Sequence, residues 1–395
     1  MRPPLKVLFL RTMNSGVAYL RMWQFKEEMN RQKIADVAMP WFEWDSQEVA
    51  AWQFHVNDDP RVYARTGVIP SLCAQADVVV VQYLHSYESL ALIESLKACL
   101  EDKGTVFLTE IDDYVLDTPV TNAAFQQYQP GWKYREIILE QMRALDGVIV
   151  STPFLKDAYS EFSKHIYVVE NSLDLTLWDK HPNKQTKELR IGWMGGDGHQ
   201  EDLRSIEAPL KQFLKENSNV FFYCVCGVPD FFKNQSKIVP IQRWFRIDRY
   251  PKAIAKLGFD IGLAPLVDNN FTRGKSNLRK LEYGALGIPV IAADVGHFAQ
   301  TVQHGKDGFL YRTPEEFKKA LETLAFNKPL RQAMGRYNRA DIKRNYNTAT
   351  RAQEYVDVLR AAHERGQTTT VDVRTRVERS SASKWIAEQP AMAEA

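Results

Sequence analysis

The segment Phe271–Val295 contains side chains suited to holding a diphosphate and a ribose. A polar, glycine-bearing loop ends in two good helix N-cap residues, and a helix follows. Amides at a helix N-terminus attract anions, and neighbouring cations strengthen that attraction. A carboxylate one to two turns further along could accept hydrogen bonds from ribose hydroxyls. An ordinary capped helix with a solvated glutamate is the alternative. The candidate residues are Arg273, Lys275, Ser276, Asn277 and Glu282.

A second glycine-bearing loop, Trp193–His199, follows a predicted strand. Gly195 and Gly196 let the backbone approach a phosphate closely, and His199 could donate a hydrogen bond to it. A tight strand-to-helix turn with His199 on the surface is the alternative.

Titratable side chains also follow two apolar runs in the first half of the chain. Asp112 and Asp113 come directly after one run, and His85 comes after another. Ligands of open α/β sheets bind at the carboxyl ends of the strands. Either aspartate is therefore a candidate general base or acceptor-positioning group, with His85 second to them. Solvated caps of the strand end are the alternative for the aspartates, and a structural role is the alternative for the histidine.

Twelve short apolar runs alternate with segments of helical period, a pattern typical of parallel α/β sheets. The pattern predicts six strands in each half, and polar residues 171–187 separate the halves. The strands are predicted at 6–10, 37–39, 78–81, 105–109, 148–150, 166–169, 189–193, 220–225, 238–240, 261–263, 290–292 and 309–311. The main helices are predicted at 86–100, 132–145, 153–163, 202–216, 250–257, 278–286 and 314–326.

This periodicity also predicts the domain organisation. Residues 1–180 form a first Rossmann-like domain and residues 181–345 a second, and two such folds in tandem create a cleft. The chain is almost continuously helical from residue 329 to 363. Residues 366–395 lose apolar periodicity, which predicts a mobile tail.

The chain of 395 residues is 45% hydrophobic and 25% charged, a globular composition. Four scattered cysteines do not suggest a disulfide framework, and the apolar run before Arg11 is too short for a signal or a membrane span. A cytoplasmic protein is expected. The spacing of Cys, His, Asp and Glu matches no metal motif, and no phosphate-loop or serine-elbow motif occurs.

Charge differs between the two halves. Residues 1–180 contain 17 Lys and Arg against 25 Asp and Glu, while residues 181–395 contain 34 against 24. The excess of acid argues against duplex DNA on the first half, because a DNA footprint needs clustered cations. The basic half suits a small anion such as a nucleoside diphosphate.

The sequence 281–296, LEYGALGIPVIAADVG, followed by HGKDGFL, resembles the nucleotide-sugar signature of retaining, family-4-type glycosyltransferases. The segment 168–174, VVENSLD, is similar to the part that closes their first domain. The resemblance covers roughly residues 5–350. It implies an α/β GT-B fold of two facing Rossmann-like, doubly wound domains, with a C-terminal helix at residues 346–365 that packs back on the first domain. Variants in phages and polysaccharide clusters carry similar acidic loops.

The resemblance also implies roles for individual residues. Arg243 and Trp244 follow a strand where that family holds the nucleotide base, although an aromatic pair before a helix is often core. The first loop, with Ser15, Gly16 and Arg21, would line the acceptor side, unless it is only a strand-to-helix turn.

Two features depart from the family pattern. Members usually have two glutamates eight positions apart; Glu282 matches the second, but Gly274 stands at the first. The usual Arg and Lys of the second domain are not recognisable. Lys275 or Asn277 would then take over the neighbourhood of the absent carboxylate.

The expected activity is transfer of a hexose from a nucleoside-diphosphate sugar to an acceptor hydroxyl, with retention and without a bound cofactor or metal. Fixed amides and Lys275 would stabilise the departing diphosphate. A nucleotide-sugar epimerase or hydrolase, and a degenerate transferase that acts as a binding module, are the alternatives. A glycan, a lipid-linked sugar, a protein side chain and a hydroxymethylated DNA base remain acceptor candidates.

Overall fold

A computed structural model describes residues 3–12, 16–40, 68–122 and 124–377 of the chain. Two six-stranded sheets, each with all strands parallel, form the framework of these residues. Parallel strands are covered on both faces, so they appear in sequence as continuous apolar runs. All twelve predicted strands are present, with small shifts at their ends.

The first sheet has the strand order β2-β1-β3-β4-β5-β6. Its strands are β1 Leu5–Leu10, β2 Ala35–Ala38, β3 Val78–Gln82, β4 Val106–Ile111, β5 Gly147–Val150 and β6 Ile166–Val168. The chain runs from β1 to the edge strand β2 and then returns past β1 to β3. The strand order therefore reverses between β1 and β3. Ligands of doubly wound folds bind at such a reversal, beside the carboxyl ends of the strands.

Helices cover both faces of this sheet. They are α1 Gly16–Ala18, α2 Gln24–Gln32, α3 Val68–Gln75, α4 Tyr87–Cys99, α5 Lys133–Ala144, α6 Pro153–Ala158 and α7 Leu175–Trp178. A π-helical turn, Tyr19–Trp23, joins α1 to α2. Ser86 caps α4 by accepting a hydrogen bond from the Ser89 amide. The helix predicted at 153–163 ends at Ala158 instead.

The second sheet has the order β12-β11-β10-β7-β8-β9. Its strands are β7 Leu189–Gly195, β8 Val220–Cys226, β9 Ile238–Ile241, β10 Ile261–Ala264, β11 Val290–Ala293 and β12 Gly308–Tyr311. The flanking helices are α8 Gln200–Ser205, α9 Glu207–Glu216, α10 Tyr250–Leu257, α11 Asn270–Arg273, α12 Leu278–Ala285, α13 Gly296–Thr301 and α14 Pro314–Phe326. The single helix predicted at 202–216 is divided at Ile206.

Two long helices complete the fold, α15 Lys328–Asn345 and α16 Thr348–Val377. Helix α16 returns to the first sheet, where the fully buried ring of Tyr355 contacts Phe9 and Phe25. The predicted crossing helix is therefore confirmed. The helix continues past the predicted boundary at residue 365 to Val377. The predicted mobility of the tail stays a prediction, and residues 378–395 lie outside the described part.

Candidate active site

A buried ion pair lies near the carboxyl end of β4. Glu110 lies in an apolar strand, and its Oε1 atom accepts a hydrogen bond from Arg21 Nε at 2.7 Å. Arg21, in the π-helical turn, also donates to the Val169 carbonyl and to Asn171 Oδ1. Arg21 is fully buried and anchors the first loop to the end of the sheet. Its predicted place on the acceptor side stays a prediction.

Asp112 has an unusually basic carboxyl group. Its Oδ1 atom is shielded from solvent and has no hydrogen-bond partner among the described residues. Burial, together with the nearby Asp113 and Glu110 carboxylates, raises the pKa of Asp112 to about 8, and Arg21 and Lys275 oppose that rise. The carboxyl is therefore mostly protonated at neutral pH and becomes a base just above it.

Asp113 connects the two halves of the molecule. Its Oδ1 atom lies 2.6 Å from Lys275 Nζ, which comes from the loop between α11 and α12. The Lys275 ammonium also lies 4.3 Å from the ring centre of Phe271. The structure thus brings together a predicted acceptor-side acid and a predicted phosphate-side cation that are 162 positions apart.

Two further hydrogen bonds cross between the halves beside this ion pair. Asn171 Nδ2 donates to Ser276 Oγ at 2.8 Å, and Thr152 Oγ1 donates to the Gly274 carbonyl at 3.4 Å. A Cβ atom at residue 274 would lie 2.9 Å from Tyr114 Cβ and 3.1 Å from a methyl carbon of Leu155. Gly274 permits this close approach, which leaves no room for a glutamate side chain.

Helix α12 begins at this contact. Its first backbone hydrogen bond runs from the Leu281 amide to the Asn277 carbonyl, so the three preceding amides of the helix are available to an anion. Asn277 occupies the N-cap position, but its side chain makes no capping hydrogen bond. The helix start is as predicted, whereas side-chain capping by Asn277 is not found.

Glu282 and Arg273 each form an ion pair with a neighbouring side chain. Glu282 is 5% exposed and accepts a hydrogen bond from Arg279 at 2.5 Å. Burial raises the pKa of Glu282, and Arg279 and Tyr250 oppose the rise. The carboxylate borders a narrow cleft between the π-helical turn and α10. Arg273 forms an exposed two-point pair with Asp268, which a diphosphate would have to displace.

The glycine loop after β7 contacts an exposed aromatic ring. Trp244 is 71% exposed, and its indole edge lies 3.2 Å from where a Cβ would stand on Gly196. Trp244 is therefore not a core residue. Gly195 is buried, with Trp193 packed over it. The neighbouring Arg243 guanidinium lies over Phe245, 5.5 Å from its ring centre.

His199 is oriented by a carboxylate in the same loop region. Its Nδ1 atom lies 2.8 Å from Asp202 Oδ2, which leaves Nε2 outside this pair. A Cβ on the adjacent Gly198 would lie 3.0 Å from the Asn122 amide nitrogen. The loop thus faces a segment of the first domain.

The remaining first-domain candidates have different surroundings. His85 is half-buried and packs edge-on against Tyr83 and Tyr134, and burial lowers its pKa. Gly16 begins α1 and has open space where a side chain would project. Ser15 lies outside the described residues.

Sequence reasoning missed several side chains of this site. Burial together with the two aspartates raises the pKa of Tyr128 to about 12, and the same causes raise the pKa of Tyr83. Neither tyrosine stands out in sequence. Glu110 does carry a signal, since a carboxylate in a buried strand needs a cationic partner.

Two kinds of feature are absent from the described residues. No group of three or more His, Cys, Asp or Glu side chains is placed to hold a metal ion within those ranges. Within the same ranges, no helix combines the length and apolar character needed to cross a membrane.

Residues 207–357 match a protein family described as glycosyl transferase-like. The matched region contains α12 and the loop before it. That region of the chain is therefore glycosyl transferase-like. No curated protein matches the sequence.

Solved structures show the same fold across nearly the whole of this chain. Sucrose-phosphate synthase from Thermosynechococcus elongatus has a TM-score of 0.60 at 14% identity, covering 91% of this chain and 98% of its own. Anabaena HepE in complex with UDP-glucose has a TM-score of 0.62 at 13% identity, covering 90% and 100%. The catalytic domain of Arabidopsis thaliana starch synthase IV, bound to ADP and acarbose, has 0.61 at 10%, covering 91% and 100%. At these identities the likeness confirms the predicted GT-B fold.

Proposed function

We propose that the chain is a glycosyltransferase that moves a hexose from a nucleoside-diphosphate sugar to an acceptor hydroxyl, with retention and without a bound metal. The observation that carries the proposal is the 2.6 Å contact between Lys275 and Asp113. This contact supports the proposal because a cation that would stabilise the leaving diphosphate lies beside acids that would receive the acceptor. The presence of UDP-glucose in the HepE structure supports a donor of this class.

The donor half of the site lies on the second domain. The amides that open α12 and the Lys275 ammonium would stabilise the diphosphate as it departs, because both favour negative charge there. Trp244, exposed beside Gly196, offers a face for the nucleotide base. Glu282 borders a narrow cleft and would accept hydrogen bonds from the ribose.

The acceptor half lies at the end of β4. In the proposed reaction the bond between the anomeric carbon and the diphosphate oxygen breaks, and a bond from that carbon to the acceptor oxygen forms. Asp112, when it is ionised, takes the proton of the acceptor hydroxyl. The departing phosphate oxygen is the alternative base for that proton. Retention requires the acceptor and the leaving group on one face of the sugar, which agrees with Asp113 and Lys275 lying side by side.

Release of nucleoside diphosphate from a panel of nucleotide sugars, UDP-glucose included, tests the activity. The full chain is assayed with and without acceptor extracts, and the anomeric configuration of the product is read by NMR. Lys275→Ala should lower turnover by about 100-fold, as expected for a lost transition-state contact, with little change in melting temperature. Loss of stability at an unchanged rate would assign Lys275 a structural role.

A binding module is the second candidate, favoured by the close packing at Gly274. That packing excludes the carboxylate that the family usually has there. Tight binding of UDP-glucose in calorimetry, with no product from any acceptor and no hydrolysis, would establish this alternative.

A further inference from the structure

A series of hydrogen bonds runs from the first sheet to the start of α12. It begins at Glu110 in β4, whose Oε1 atom accepts from Arg21 Nε at 2.7 Å. Arg21 Nη1 donates to Asn171 Oδ1 at 2.9 Å, and Asn171 Nδ2 donates to Ser276 Oγ at 2.8 Å. The first three of these residues are each 3% exposed or less. We call the four residues the relay, and its last hydrogen bond crosses from the first domain to the second.

The guanidinium in the relay sets the direction of the hydrogen bonds that follow it. A guanidinium has donors and no acceptor, so the Asn171 atom that contacts Arg21 must be the side-chain carbonyl oxygen. The amide nitrogen therefore lies towards Ser276 and donates to it. A serine hydroxyl that accepts a hydrogen bond keeps its own proton for another partner. Among the described residues, no group accepts the proton of the Ser276 hydroxyl.

The Asn171 side chain is held in this orientation from the first domain. Arg21 Nη1 also donates to the Val169 carbonyl at 2.6 Å, so the guanidinium is fixed on both sides of the amide group. Turning the amide over would bring its NH2 group against the guanidinium, and two donors cannot bond to each other. Such an unpaired donor is costly inside a protein, because no water replaces the lost partner. The orientation of the Asn171 amide is therefore locked.

Ser276 lies between Lys275 and Asn277, the N-cap residue of α12, beside the amides that the proposed function assigns to the donor diphosphate. We propose that Asn171 is a positioning residue, which orients the Ser276 hydroxyl so that its proton is donated to a diphosphate oxygen. The proposal rests on the proposed function and gives a first-domain residue a part in holding the donor. A hydrogen bond to a charged oxygen is stronger than a neutral one. Because Asn171 and Ser276 belong to different domains, the hydroxyl is oriented only while those domains are in contact.

A double-mutant cycle on UDP binding tests the relay. Ser276→Ala removes the hydroxyl and should raise the Kd for UDP by about tenfold in calorimetry. Asn171→Ala leaves the hydroxyl but not its orientation and should raise the Kd by about three- to tenfold. With Ser276 already replaced by alanine, Asn171→Ala should have no further effect. An Asn171→Ala effect of the same size in both backgrounds, or an unchanged Kd in the single variants, would overturn the proposal.

Asn171→Asp provides a second variant of the same position if the alanine variant does not fold. A carboxylate keeps the shape and still accepts from Arg21, but it cannot donate, so Ser276 donates to it instead. The affinity for UDP should fall, and it should fall less when Ser276 is already alanine. Equal losses in the two backgrounds would contradict the relay.

Asn217→Ala is the matched control. Asn217 Nδ2 donates to the Phe213 carbonyl at 2.8 Å, and the residue precedes β8, at the opposite edge of the second sheet from α12. This variant loses an amide hydrogen bond of the same length and should bind UDP as the parent chain does. A Kd that rises as much in Asn217→Ala as in Asn171→Ala would show that loss of any such bond has this effect, and the relay would fail.

Binding of UDP and consumption of UDP-glucose by the parent chain separate this proposal from the proposed function. If the parent chain binds UDP and consumes UDP-glucose while Asn171 and Ser276 act independently, only the relay fails. If the parent chain neither binds nor consumes any nucleotide sugar, the proposed function fails. Donor KM is measured alongside, and we expect Asn171→Ala to raise it while the acceptor KM changes little.

Discussion

The Asp112 carboxyl is poised to change charge close to neutral pH. It must be ionised to take the proton of the acceptor hydroxyl, and its pKa is raised to about 8. We therefore expect kcat/KM to rise with pH, with a midpoint near pH 8. Asp113→Asn removes a neighbouring negative charge and should shift the midpoint to lower pH. Lys275→Ala removes a positive charge and should shift it to higher pH. Midpoints that do not move, or move in the opposite directions, would contradict the assignment.

The pH dependence of the free energy of unfolding tests the raised pKa of Asp112 independently of catalysis. A folded pKa of about 8 exceeds the unfolded value of roughly 4, so the folded state holds a proton that the unfolded state has lost. The parent chain should lose free energy of unfolding relative to Asp112→Asn as the pH rises between those values. The slope is at most about 1.4 kcal/mol per pH unit. Urea titrations at several pH values measure it.

Glu282 is expected to bind the ribose of the donor. Glu282→Gln keeps the size and removes the charge, which weakens hydrogen bonds worth roughly 1.5–3 kcal/mol each. The Kd for UDP should rise by about tenfold or more in calorimetry. Glu322→Gln on α14 is a control on the same domain, and its side chain is 44% exposed. Equal affinities of the parent and Glu282→Gln would remove Glu282 from the site.

At the scale of elements, the loop between α11 and α12 needs a glycine to contact the first domain. A Cβ at residue 274 would come within 2.9 Å of Tyr114 Cβ, which is closer than side chains tolerate. Gly274→Ala and Gly274→Glu should therefore separate the loop from the first domain, the larger side chain more so. We expect slower transfer in that order, while UDP binding by the second domain remains.

Small-angle scattering of the empty proteins provides the structural measurement for this series. The radius of gyration should increase from Gly to Ala to Glu at residue 274. A Gly274→Glu variant that is as compact as the parent and transfers faster would show that the position can accept the family's usual carboxylate.

The strands were predictable because buried parallel strands are continuous apolar runs. The 78–82 segment, VVVVQ, is buried at every position and needs no tertiary knowledge to recognise. The pairing of side chains was not predictable in the same way. Arg21 and Glu110 are 89 positions apart, and nothing in either local sequence identifies the other. Candidate site residues could therefore be chosen from local motifs, while the side chains that contact them required the folded chain.

At the scale of the whole molecule, α16 ties the C-terminus to the first sheet. Tyr355 is fully buried between Phe9 and Phe25. Tyr355→Ala removes a large core side chain and should lower the free energy of unfolding by about 3–5 kcal/mol. Tyr337→Ala, at a ring that is 42% exposed, is the matched control and should change it by less than about 1 kcal/mol. Similar losses in the two variants, read by chemical denaturation, would contradict docking of α16 through Tyr355.

In the protein without ligand, the Asp113 carboxylate competes with the donor diphosphate for Lys275. A diphosphate that reaches Lys275 must displace the Asp113 carboxylate, so this internal anion offsets part of the donor's affinity. Asp113→Asn should therefore bind UDP about two- to fivefold more tightly, the range expected for a partly exposed pair, although transfer slows. This gain in UDP affinity should shrink as salt is added, because salt screens the attraction between Lys275 and Asp113. Weaker UDP binding by Asp113→Asn in calorimetry would show instead that the carboxylate holds Lys275 in place for the donor.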